Sequence, residues 1–142
     1  MAIGVAPPTR AMGAQHTVLV IEDDADLREM VAVLLETQGY ESVVCADGVQ
    51  AFAQLNAGLW PCMILLDLMM PNMDGWQFME QLRAVPAFAP IPIVVLSAYG
   101  TAEGVRSLGA ADYLKKPFDP DAMLAAVERY CSQASEPGGG RS

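Results

Sequence analysis

Positive charge and histidine are scarce in this chain of 142 residues: Lys and Arg together number 8 against 17 Asp and Glu, a net charge of -9, with a single histidine. So acidic a surface repels a phosphate backbone, which excludes nucleic-acid binding by this chain alone. Cysteine is also sparse. Cys45, Cys62 and Cys131 are an odd set without CxxC spacing, which fits neither a disulfide framework nor a zinc knuckle, so three reduced thiols in a core are expected. No apolar run exceeds strand length, and "MAIGVAPPTRAMGAQH" lacks a charged start followed by an apolar stretch. Neither a membrane span nor an export leader is therefore expected. A soluble cytoplasmic protein without a membrane partner is the resulting expectation.

What is present is apolar and periodic. With 53% hydrophobic and 18% charged residues the chain reads as globular, and its length suits one domain with a proper core. Both ends have tail composition: residues 1–15 hold paired prolines and no period, and 133–142 form a Ser/Gly/Pro segment suited to a flexible tail or linker. The folded unit is expected over about 16–132.

Within it strand and helix signals alternate. "TVLVI" (17–21) is a β-branched run, and Leu27, Met30, Val31, Leu34 and Leu35 then recur at helical spacing. "ESVVCA" (41–46) precedes a helix opening on Asp47 as N-cap. "CMILLD" (62–67) is continuous and apolar, as a central parallel strand should be, and precedes the helical "DGWQFMEQLRAV". "IPIVVLS" (91–97), a short helix, "ADYLKK" (111–116), and a last helix with Asp119 as N-cap and Pro120 in its first position complete the series. Strict alternation predicts an α/β fold: a doubly wound five-stranded parallel sheet with helices on both faces.

In such a sheet ligands sit outside the carboxyl ends of the strands. Those ends carry Glu22, Asp23 and Asp24, then Asp67, then Ser97, then Lys115 and Lys116 before Pro117. An ionised Asp67 closing an apolar strand resists burial unless something pairs with it. Carboxylates about 4 Å apart repel by roughly 4 kcal/mol per pair at an effective dielectric near 20. Oxygen-only ligands suit a hard divalent cation that keeps several waters, which points to magnesium. His16 precedes the first strand and is expected at the surface.

"VLVIEDD", "LLDLMMPNMDG", "VVLSA" and "GAADYLKKPF", in this order, resemble the receiver domain of two-component response regulators. The resemblance covers essentially the whole folded unit. It implies the flavodoxin-like, CheY-like (βα)5 three-layer sandwich, with Asp67 as phospho-acceptor and Mg2+ (or Mn2+) as cofactor. It makes Asp23 a direct metal ligand, Glu22 a ligand partly through water, and the backbone carbonyl of Met69 the last protein ligand. Ser97 matches the switch hydroxyl, Lys116 the ammonium and Tyr113 the rotating aromatic, with a cis peptide between Lys116 and Pro117. A sensor histidine kinase or histidine phosphotransfer protein would donate, and an unknown downstream protein would read the result. Gly75 would permit close approach of the loop after the acceptor, and Pro71 would fix its path.

Other roles compete. Asp24 reads better as an N-cap than as a ligand, Lys115 as a solvated alternate, and Tyr113 could be core filling. An aspartyl-nucleophile phosphatase would need a second aspartate two residues after the first, where this chain has Met69. A phosphorylation-independent interaction module would usually have lost the acidic pair or the lysine, and all are kept. The expectation is a phosphorelay switch that catalyses only its own phosphorylation and dephosphorylation, with no output domain in this sequence. One stretch departs from the family: Tyr99–Leu108 is about three residues short, about one helical turn, and holds Gly100 and Gly104. A short fourth helix puts the family's usual output and dimer face in doubt.

Overall fold

A computed structural model describes residues 17–68, 74–98, 102–107 and 109–134. Five strands, β1 Thr17–Ile21, β2 Glu41–Cys45, β3 Met63–Asp67, β4 Ile93–Ser97 and β5 Asp112–Lys115, alternate with five helices, α1 Ala25–Thr37, α2 Gly48–Asn56, α3 Gly75–Arg83, α4 Ala102–Ser107 and α5 Pro120–Ala134. The strands pair in parallel in the order β2-β1-β3-β4-β5. Strict alternation therefore gives the expected architecture.

Side chains of successive strand residues point to opposite faces, and the core divides accordingly. Leu19, Ile21, Ile64, Leu66, Ile93 and Val95 pack with Ala51, Leu55, Phe78, Leu82 and Val105 on the face covered by α2, α3 and α4. Val18, Val20, Met63, Leu65, Val94 and Leu96 pack with Val31, Leu35, Met123 and Val127 of α1 and α5 on the other. β1, β3 and β4 are buried throughout because both faces are covered, whereas β2 and β5 keep exposed positions at the sheet's edges.

The helix starts follow their caps. Asp24 accepts from the backbone N–H of Asp26 and Leu27, which is the capping role favoured above, and Asp47 accepts from Gln50. Asp119 accepts from Asp121, beside Pro120 in the first helical position. Asp74 forms a capping box with Gln77 that the sequence reading did not single out. The described part of α4 is the six residues Ala102–Ser107.

The cysteine expectation is corrected. Cys62 and Cys131 form a disulfide, and only Cys45 is a free buried thiol. Their separation of 69 residues carries no pairing signal, yet the start of β3 and the end of α5 meet on one sheet face. His16, Met69, Pro71 and Gly100, and with them the expected roles of those residues, lie outside the described residues.

Candidate functional site

Parallel strands end on one edge of the sheet, so residues remote in sequence meet there. β1 leads into Glu22 and Asp23, β3 ends in Asp67, β4 in Ser97, and β5 leads into Lys116. Glu22 is fully buried, Asp67 is 4% exposed and Ser97 1%, while Asp23 is exposed. One oxygen from each of Glu22, Asp23 and Asp67 lies within 4.8 Å of the others. At such spacing the mutual repulsion is several kcal/mol unless a cation offsets it, roughly 4 kcal/mol per pair near 4 Å.

Lys116 supplies part of that offset. Its Nζ donates to Glu22 Oε1 at 2.8 Å and lies 3.5 Å from Asp67 Oδ1. Burial alone pulls the ammonium's pKa down; the hydrogen bond and charge of Glu22, followed by those of Asp67, outweigh it and hold the pKa above the ordinary lysine value. The three carboxylates and the ammonium together form a charged cluster whose oxygen donors suit a hard cation.

Backbone contacts build the pocket. Glu22 N–H donates to Cys45 O at 3.0 Å, fixing the end of β1 against β2. The Asp24 N–H donates to Glu22 Oε2 at 3.2 Å. Lys116 N–H donates to Ser97 O at 2.9 Å, so β4 and β5 stay paired up to the site. The Lys116–Pro117 peptide is cis. Gly75 N–H donates to Leu68 O at 2.8 Å. A Cβ at Gly75 would stand 2.6 Å from Leu68 Cα and 2.8 Å from Asp67 O, so only glycine permits this approach of α3 to the end of β3.

The residues singled out in the sequence fall into three groups. Glu22, Asp23, Asp67 and Lys116 are brought together. Ser97 ends β4 beside them, and the Tyr113 hydroxyl donates to Ser97 O at 3.3 Å while its ring packs against the core. Lys115 is exposed and stands apart. Sequence reasoning missed the direct Glu22–Lys116 pair, whose signal was the longer arm of glutamate in the first acidic position. It also missed Arg28, whose Nη1 donates to Glu22 O at 2.9 Å; a lone cation in the acidic stretch 22–29 was the available signal.

This chain belongs to the response regulator receiver domain family, whose model matches residues 18–128. It is thus a phosphoryl-accepting signalling domain. It is 43% identical over 121 residues to the phosphate regulon transcriptional regulatory protein PhoB of Escherichia coli (strain K12), covering 83% of this chain and 52% of that protein. The chain therefore spans about half the length of that relative. Among solved structures, chemotaxis response regulator CheY4 of Vibrio cholerae matches with a TM-score of 0.73 and 31% identity, over 80% of this chain and 97% of the other. The receiver domain of sensor histidine kinase PA1611 from Pseudomonas aeruginosa PAO1, solved with magnesium coordinated in its active site cleft, matches with a TM-score of 0.74 and 26% identity, over 82% of this chain and 98% of the other. No helix among the described residues is long and apolar enough to cross a membrane.

Proposed function

We propose that the chain takes a phosphoryl group from a sensor histidine kinase or histidine phosphotransfer protein onto Asp67, and so switches its binding of a downstream protein. The observation that carries this reading is the place of Asp67, one oxygen within 4.8 Å of the acidic pair and another polar contact 3.5 Å away at Lys116. In the transfer an Asp67 oxygen forms the new O–P bond as the donor's N–P bond breaks. The departing imidazole keeps the electron pair and takes its proton from water. Attack of one anion on another requires the repulsion between them to be cancelled.

Glu22, Asp23 and Asp67 are oxygen donors only, the set that suits magnesium or manganese, and with the Met69 carbonyl they would hold it. Bound there, the cation supplies charge neutralisation for the phosphoryl oxygens. Lys116 then moves from Glu22 toward a phosphoryl oxygen, and the Ser97 hydroxyl donates to another. Drawing Ser97 inward shifts the strand end whose carbonyl holds the Tyr113 hydroxyl, which couples acceptor state to the β5 surface. Turnover is limited to the domain's own phosphorylation and dephosphorylation. The cytoplasm is the compartment this exchange with a kinase requires, and neither nucleic acid nor membrane is a partner of this acidic chain by itself.

Intact mass after incubation with magnesium and a small phosphodonor tests the assignment. The parent should gain one phosphoryl group and Asp67→Asn none; an undiminished adduct on the variant would move the acceptor elsewhere.

A further inference from the structure

Asp23 is the one member of the acidic cluster that is exposed, and its carboxylate makes no hydrogen bond or ion pair among the described residues. Its aim must therefore come from the backbone. Arg28, half-buried in the first turns of α1, sends its side chain back toward the helix N-terminus, as helical side chains do. Its Nη1 reaches Glu22 O at 2.9 Å and Asp23 O at 3.5 Å. Those two carbonyls belong to the peptide planes on either side of the Asp23 Cα.

We infer that Arg28 is a positioning residue for magnesium: by holding both peptide planes that flank Asp23 it fixes the direction of a carboxylate that no side chain among the described residues holds. This rests on reading Glu22, Asp23 and Asp67 as the metal ligands. The other anchors of the segment act at its two ends. Glu22 N–H is tied to Cys45 O, and the Asp24 carboxylate is tied to the first turn of α1. The Asp24 N–H, donated to Glu22 Oε2, also ties the second of the two planes, but among the described residues Arg28 is the side chain that reaches the carbonyls of both; groups that orient a metal ligand typically change affinity by about 10–100-fold when removed.

The guanidinium also has an opposite effect. A positive charge beside the site repels a cation, so if charge were its main influence, removing Arg28 would tighten magnesium binding. The two effects predict opposite signs.

Magnesium titration by calorimetry, with melting temperatures in chelator and in saturating magnesium, separates them. Arg28→Ala should weaken magnesium binding by about tenfold, and Arg28→Lys, which keeps the charge but not the planar reach to two carbonyls, should fall between it and the parent. A purely structural arginine would lower the melting temperature equally with and without metal and leave the dissociation constant within twofold. That result, or tighter binding by Arg28→Ala, overturns the inference. Should Arg28→Ala fail to fold, Arg28→Lys binding as tightly as the parent overturns it instead. A parent that shows no response to magnesium would sink the metal reading itself and this placement with it, whereas a parent that binds beside an indifferent variant sinks only the role of Arg28.

Discussion

The Lys116 ammonium sits 2.8 Å from the fully buried Glu22 and 3.5 Å from Asp67, so its proton is held more tightly in the folded chain than in the unfolded one. With the folded pKa raised, the stability it contributes is fully present below the unfolded value, about 10.4, and is lost as pH rises through the folded value. Tyr40 and Tyr130 are raised too, chiefly by burial, and act with the same sign. The parent's alkaline loss is therefore a sum, and Lys116→Met isolates one part of it. Urea denaturation between about pH 10 and 12 should show a steeper decline for the parent than for the variant; parallel declines would mean that the carboxylates do not hold the ammonium. The members of the site were legible in sequence because each closes an apolar strand. Which of them pair was not, since the choice of Glu22 over Asp67 by Lys116 depends on side-chain reach across strands that lie 94 residues apart.

Among the elements, α3 and α4 bear most directly on the site. Because a Cβ at Gly75 would meet Leu68 Cα, just past β3, at 2.6 Å, Gly75→Ala must push α3 away or displace Asp67. A loss of about 1–3 kcal/mol in chemical denaturation is expected, together with slower phosphorylation; unchanged values for both would show that the loop gives without consequence. α4 has six described residues, with Val105 as their buried anchor and an Arg106–Asp112 ion pair too exposed to add much. A dimer through α4, β5 and α5 would lack part of its surface, so light scattering with a stable phosphate mimic should show no tight dimer. A phosphorylation-dependent dimer whose interface includes α4 would reverse that conclusion. Periodicity and caps made these elements readable, whereas the capping box at Asp74 and Gln77 was not, because Asp74-Gly75 reads as a turn pair in sequence.

Taken as a whole, the molecule is a sheet covered on both faces and joined across one of them by the Cys62–Cys131 disulfide. Closing a loop of 69 residues constrains the unfolded chain by about 4 kcal/mol in the entropic model. Reductant, or Cys131→Ser, should lower stability by up to that amount, and three titratable thiols in unreduced, unfolded protein would show the bond absent. Topology was legible from strict alternation; the disulfide was not, because sequence spacing cannot report which ends of a strand and a helix share a face. The strand order has a further consequence for the growing chain. β1 and β3, neighbours at the sheet's centre, are synthesised well before β5, the edge strand that carries Lys116 to them. A nascent chain that has not yet emerged to β5 must bring Glu22, Asp23 and Asp67 together with no lysine between them, and their repulsion opposes the pairing of the very strands that form the core. Emergence of Lys116 thus offsets part of an electrostatic obstacle to collapse, so the last strand to leave the ribosome is the one that brings the acidic cluster its counter-charge.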